Sequence, residues 1–227
     1  MKNRLILLRH GQSLFNKKNI FTGWVDVPLS KQGIEEAILA GKQLKDLPID
    51  VIYTSTLIRA QMTACLAMSE HSTTKVPVMI RSEESKEGVW GKVHSPECEK
   101  ELLPMYIDSR LNERMYGDLQ GYNKQATREK FGEKQVHLWR RSYDVRPPQG
   151  ESLEDNTKRT LPYFQETILP SLEKGNHVLI AAHGNSLRAI VKFLDGLSNE
   201  EILGLEIPTG KPLIYEYGAG SFTKGSL

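Results

Sequence analysis

Two stretches of the sequence end a strand-like apolar run in His-Gly and a small polar turn: RLILLRHGQS at residues 4–13 and HVLIAAHGNS at residues 177–186. Parallel strands of an α/β sheet release their side chains at a shared carboxyl edge, and ligands bind in the crevice there. His10 and His183 are therefore expected to meet in space despite their separation in the chain. In each unit the glycine permits a tight turn and a close backbone approach, and a helix starting there aims free N–H groups at an anion. The ligand that suits this combination is phosphate. One such dipeptide would be an ordinary loop; two at matched strand ends argue for a shared site.

An imidazole nitrogen attacks phosphorus only when neutral, and a reference pKa of about 6.5 makes that form available near neutral pH. A covalent phosphohistidine divides a difficult transfer into two steps. Phosphoryl transfer also needs cations around the equatorial oxygens. Arg9 beside His10, and Arg59 just after the second apolar run, meet that need. A proton must reach the leaving oxygen, and Glu113, in the polar stretch LNERMYG at 111–117, is the carboxylate expected to supply it. Taken alone, a glutamate beside an arginine is as readily a surface ion pair. Arg140-Arg141 after Trp139 is either a solvated basic face or a bidentate grip on the acidic end of a small phosphate ester. The sequence holds no Walker A pattern, and Gly218-Ala219-Gly220 reads as a polar tail rather than a nucleotide fingerprint. The six histidines show no close metal-ligand spacing, which argues against a two-histidine metal hydrolase.

Short apolar runs alternating with helical patterns predict a mainly parallel sheet covered on both faces. Strands are expected at 4–8, 51–54, 76–80 and 178–182, the third an edge because of Pro77 and the last central because it is almost wholly apolar. Ser30 is a plausible N-cap for a helix with Ile34, Ala37, Ile38, Gly41 and Leu44 on one face, and a second helix runs over about 57–70. Ser152, three residues before Asp155, resembles a capping box opening a long helix that Pro162 should kink. A further helix is expected over 186–194. Between 82 and 107 neither period is sustained, and this stretch is expected to be an inserted lid or flap.

At 227 residues and 39% hydrophobic, the chain can bury a core, and we read 1–227 as one domain. Thirty basic against twenty-eight acidic residues leave a net charge of +2, too balanced to point to nucleic acid or a membrane. Any positive field must be local. The first apolar run, 5–8, is shorter than a signal peptide's core of about 7–15 residues, and no run suffices to span a bilayer. Two cysteines without disulfide or metal spacing fit a reducing cytoplasm.

Together these residues resemble the histidine phosphatase superfamily, and within it the 2,3-bisphosphoglycerate-dependent phosphoglycerate mutases. The matching segments, in order, are LLRHGQSLFN (7–16), FTGWVDVPLSKQG (21–33), YTSTLIRA (53–60), LNERMYGDLQGYNK (111–124), WRR (139–141), AAHGNSLRA (181–189) and IPTGKPL (207–213). A lone RHG is only moderately specific; the ordered set is highly specific. The resemblance implies a three-layer αβα sandwich in which His10 is phosphorylated, Arg9, Arg59 and His183 surround the transferring group, and Glu113 is the general acid/base. It implies that Asn16, Thr22, Gly23, Arg114, Tyr116, Lys124, Arg140, Arg141, Gly184 and Asn185 bind substrate. The implied reaction interconverts 2- and 3-phosphoglycerate with 2,3-bisphosphoglycerate as cofactor and no metal; a homodimer is among the assemblies it allows. A phosphatase of the same superfamily, acting on a small phosphate ester or phosphoprotein, is the rival. Gln12 stands where many relatives carry glutamate, the 82–107 stretch is longer than in familiar bacterial relatives, and Pro147-Pro148 runs almost directly into Gly150. The sequence to Leu227 also lacks the lysine-rich tail of those relatives.

Overall fold

Residues 2–80 and 86–227 are described by the structure, a computed structural model. Strand β1 (Asn3–Arg9) leads through a short turn of helix, α1 (Leu14–Lys17), into α2 (Lys31–Leu44), β2 (Val51–Thr54), α3 (Ile58–Met68) and β3 (Val76–Ile80). Two short helices, α4 (Lys86–Trp90) and α5 (Pro96–Glu99), precede β4 (Leu102–Ile107). Then follow α6 (Lys124–Phe131), α7 (Glu133–Arg141), α8 (Leu153–Tyr163), α9 (Leu169–Glu173), β5 (Val178–Ala182), α10 (Gly184–Asp195), α11 (Asn199–Gly204) and the hairpin β6 (Pro212–Gly218) and β7 (Ser221–Lys224).

The strands form one sheet in the order β3-β4-β2-β5-β1-β6-β7, with β5 at its centre. All pairs from β3 to β1 are parallel, whereas β6 and β7 are antiparallel additions. Side chains alternate across each strand. On one face Leu5, Leu7, Tyr53 and Ile180 pack against Phe164, Leu187 and Ile190; on the other Ile6, Leu8, Ile52 and Leu179 pack against Ala40, Leu44, Ala64 and Ala67. Helices thus cover both faces, and the architecture is the expected three-layer αβα sandwich.

The expected caps form. The hydroxyl of Ser30 accepts from the Gly33 N–H, and Ser152 and Asp155 make the reciprocal pair at the start of α8. Pro162 does not end its helix; the chain continues through a π-helical turn (Phe164–Ile168) into α9. Three expectations change. The stretch 82–107 is not one insert: residues 82–85 lie outside the described residues, and Leu102–Ile107 is an inner strand between β3 and β2. Its Pro104 falls one residue before the ladder with β2 begins at Ile52–Met105, so the missing N–H costs no rung. Gly218-Ala219-Gly220 is no tail but part of a hairpin turn in which Ala219 (φ 50°) and Gly220 (φ 75°) both take the left-handed conformation that tight hairpins require. Nor does a long helix follow His10; Gly11 instead packs backbone to backbone on Gly33 in the first turn of α2, where a Cβ on either would overlap the other segment.

Candidate active site

Strands β1 and β5 lie side by side in register Arg9–Ala182, and the His10 N–H donates to the Ala182 carbonyl at 3.0 Å. The next residue of each strand is a histidine. The two imidazoles therefore meet edge to face at 4.9 Å between ring centroids. His183 is the N-cap of α10, so this unit does open a helix at the site.

His10 is buried, and its Nδ1 lies 2.6 Å from the carbonyl oxygen of Gly11. A carbonyl only accepts, so Nδ1 carries the proton and Nε2 keeps its lone pair. Burial, then the charges of Arg59 and Arg9, hold His10 well below the ordinary histidine value of 6.5. His183 is held low by burial and by Arg59, His10 and Arg9, with Nε2 2.7 Å from the hydroxyl of Ser55. The imidazole at the sheet edge is thus biased towards its neutral, nucleophilic form. In a nitrogen-edited NMR titration from about pH 8 to about pH 6, His10 is expected to stay neutral with the proton on Nδ1; a midpoint near the ordinary value would refute this. Because both folded-state values are depressed, stability should fall as pH drops below the unfolded value, where the unfolded chain binds protons that these two rings refuse.

Around His10 lies a cavity of about 170 Å³ whose lining carries Arg9, Arg59, Lys124, Arg140, Arg141 and Arg188 against the carboxylates Glu113 and Glu206. The local positive field that the balanced composition demanded is here. Arg59 is wholly buried at the start of α3, with one Nη donating to the carbonyl of Gly23 at 2.7 Å and the other to Val25 at 2.9 Å. Burial lowers this guanidinium to about 10, partly offset by Glu113 and Asp26. Arg9 reaches the Ile207 carbonyl at 2.7 Å. The Nε atoms of both arginines and the hydroxyl of Thr22 are buried without a protein hydrogen-bond partner among the described residues. Three buried donors around a neutral imidazole fit the oxygens of a phosphate ester.

Glu113 sits in the loop between β4 and α6, with Oε1 held by the backbone N–H of Arg114 (2.7 Å), the side-chain amide of Asn185 (2.8 Å) and the Asn185 N–H (3.3 Å). Oε2 is the oxygen left to move a proton. Asn16, Thr22, Gly23, Tyr116, Lys124, Arg140, Arg141, Gly184 and Asn185 line the same cavity. Arg114 and His183 do not; Arg114 lies beneath, donating to the Tyr116 hydroxyl and the Arg140 carbonyl, both at 3.1 Å. Burial pushes the Tyr116 phenol up, but Arg114 and Lys124 outweigh it and leave the phenol below its ordinary value. Lys124 and Arg140 are both lowered, chiefly by burial.

Gln12 is also away from the cavity: its side-chain carbonyl accepts from Ser30 and its N–H donates to Glu36, so it ties the loop to α2 instead of altering charge beside the ligand. Arg188, Glu206 and Ile207 line the cavity without having been singled out in the sequence. For Arg188 a signal existed, since it lies four residues after Gly184 on the same helix and so on the same face. Glu206, which pairs with Arg141 at 3.3 Å, had none. Among the described residues no helix is long and apolar enough to cross a membrane.

Paired histidines at the carboxyl edge of this sheet, caged by arginines, are the arrangement of the histidine phosphatase superfamily. The profile described as "Histidine phosphatase superfamily (branch 1)" matches residues 5–106 and 96–226. A protein of Chlamydia muridarum described as 2,3-bisphosphoglycerate-dependent phosphoglycerate mutase is 56% identical over 223 residues, 98% of this chain and 97% of that one. Its counterpart in Chlamydia felis is 57% identical over 220 residues, 97% and 96% of the two chains. The chain belongs to the family of 2,3-bisphosphoglycerate-dependent phosphoglycerate mutases. Among solved structures, the α-ribazole phosphatase of Shigella flexneri superposes with a TM-score of 0.75 at 22% identity, covering 99% of this chain and 95% of that one. A mycobacterial glucosyl-3-phosphoglycerate phosphatase in complex with VO3 gives 0.73 at 25% identity, covering 98% and 97%.

Proposed function

We propose that the chain interconverts 2-phosphoglycerate and 3-phosphoglycerate through a phosphoryl group carried on His10. The observation that carries this reading is the neutral Nε2 of His10 facing a cavity lined by six cationic side chains. Phosphorylated His10 gives its phosphoryl group to the free hydroxyl of the phosphoglycerate as the Nε2–phosphorus bond breaks and Glu113 takes the hydroxyl proton, forming the 2,3-bisphosphoglycerate intermediate; once this has turned, Nε2 bonds to the other phosphorus as its ester bond breaks and Glu113 returns the proton to the departing oxygen. Arg9 and Arg59 neutralise the transferring group, with His183 against the edge of the His10 ring. Asn16, Thr22, Gly23, Tyr116, Lys124, Arg140, Arg141, Gly184 and Asn185 hold the remainder of the substrate, and Arg114 supports Tyr116 from below. When bound, 2,3-bisphosphoglycerate supplies the phosphoryl group that charges His10; the buried donors of Arg9, Arg59 and Thr22 fit such an anion.

Cations remote from His10 favour a mutase over a simple phosphatase, because a mutase must retain an anionic ligand while it turns and a phosphatase need not. Arg140 and Arg141 at the end of α7 would supply that grip. Glycolysis and gluconeogenesis in the cytoplasm are the setting we read for it, with charge neutralisation coming from side chains and no metal. We read the chain as one domain, with the segment before β4 as its flap, and as a homodimer. The test is conversion of 3-phosphoglycerate by the purified protein with and without added 2,3-bisphosphoglycerate, in the presence of EDTA. Prompt conversion that depends on the added bisphosphate is expected. Release of inorganic phosphate in place of 2-phosphoglycerate, or activity abolished by EDTA and restored by a divalent ion, would overturn the reading.

A further inference from the structure

The carbonyl groups leading up to and including that of Glu113 converge on one guanidinium. Arg159, on α8, donates through Nη1 to the carbonyls of Ser109 (3.0 Å), Arg110 (2.9 Å) and Asn112 (3.3 Å), and through Nη2 to Asn112 (3.4 Å) and Glu113 itself (3.4 Å). Its Nε and Nη2 also form a two-pronged pair with the carboxylate of Glu151 at 3.0 and 2.9 Å. Glu151 in turn accepts from the Met115 N–H at 3.0 Å, and its own N–H donates to the Met115 carbonyl at 2.8 Å. The indole of Trp24 closes the arrangement, with the guanidinium 5.4 Å from its ring centroid and Nε1 donating to the Glu113 carbonyl at 2.6 Å. The pair is mostly buried, with side-chain exposures of 17% and 22%, yet Arg159 does not line the cavity around His10.

Four carbonyl dipoles pointing at one spot repel one another unless a cation sits there, so this loop conformation depends on a donor of Arg159's shape. Lysine keeps the charge but lacks the planar fork that reaches several carbonyls and a carboxylate at once. The consequence falls on Glu113. Its Oε1 is fixed by Asn185 on α10, its backbone by Arg159 on α8 and by Trp24 from the loop before α2, and Oε2 takes whatever position those anchors leave. An acid displaced by even a fraction of an ångström loses its hydrogen-bond reach to the leaving oxygen.

We infer that Arg159, clasped to Glu151 and stacked on Trp24, is the positioning residue that holds Glu113 where it can protonate the leaving oxygen. The inference rests on the role proposed above for Glu113. In the step concerned, the His10 Nε2–phosphorus bond forms, the phosphorus–oxygen bond breaks, and the Glu113 proton ends on the departing oxygen. An alkoxide needs that proton, whereas an aryl oxide of low pKa departs without it.

The experiment compares phosphorylation of His10 by an alkyl donor, 2,3-bisphosphoglycerate, and by an activated aryl donor, 2,4-dinitrophenyl phosphate, in the wild type, Glu113→Gln, Arg159→Lys and the double variant. Glu151→Gln loosens the same clasp and is a second route should Arg159→Lys not fold. Arg159→Lys is expected to slow the alkyl donor about 30-fold and the aryl donor less than about threefold. The double variant should be no slower with the alkyl donor than Glu113→Gln alone, because both changes remove one act. A merely structural role would slow both donors alike, and that result overturns the inference. If Glu113→Gln separates the two donors and neither Arg159→Lys nor Glu151→Gln does, the positioning role fails and the role of Glu113 stands. If Glu113→Gln does not separate them, the acid role fails and the inference falls with it.

Discussion

His10→Ala is expected to abolish phosphoryl transfer to the protein and to lower mutase turnover by on the order of 10⁴-fold or more, the scale seen when a covalent nucleophile is removed. After incubation with labelled 2,3-bisphosphoglycerate, the wild type should carry acid-labile, base-stable label and the variant none. The neighbouring imidazole is no substitute. His183 is fully buried, Nε2 engages the Ser55 hydroxyl at 2.7 Å, and the ring does not line the cavity. Full labelling of the variant would show that another group carries the phosphoryl and would remove the basis of the proposed mechanism.

Arg59→Gln should lower kcat/KM by about 10²- to 10³-fold, the usual cost of losing a preorganised charge where a transition state gathers negative charge. A second effect separates this residue from a generic support. Arg59 is, after burial, the largest influence holding His10 below its ordinary value, so removing the charge lets the His10 pKa rise. A larger fraction of the nucleophile is then protonated in mild acid, and the acid limb of the kcat/KM profile should move to higher pH. Measuring the profile for phosphorylation of His10 checks both parts. A rate close to wild type would refute the charge role of Arg59, and a large loss with an unmoved limb would show that it acts through folding alone.

Much of the framework was legible because local pattern and tertiary role agree. Leu5 to Leu8 and Val178 to Ala182 are apolar on both faces since helices cover both, and Ser30 and Ser152 cap the helices their spacing announces. Strand β4 was illegible because Pro104 argues against an inner strand, and only the register with β2 reveals that its missing N–H is not needed. The β6–β7 hairpin hides because β6 opens on Pro212 and sustains no alternation, β7 is short and largely exposed, and the turn contains Ala219. In the site, His10 and His183 could be read from strand ends. Arg114 could not, since its neighbours line the cavity while its own guanidinium turns underneath toward Tyr116. Arg159 lay hidden for a similar reason: its importance comes from carbonyl groups of a loop some fifty residues earlier, and carbonyls leave no mark in a sequence.

Strand β3 closes one end of the sheet while showing solvent Val76, Met79 and Ile80, the composition of a segment prone to stack into fibrils. The Val76 N–H donates inward to Glu101, so the groups of Pro77 and Met79 face outward. Proline has no N–H. Within the strand, the outer edge therefore offers a single amide, that of Met79, to any chain that would extend the sheet. An unbroken ladder of rungs cannot propagate from one donor, and the rim of this molecule is protected from runaway polymerisation by a residue that takes no part in its chemistry.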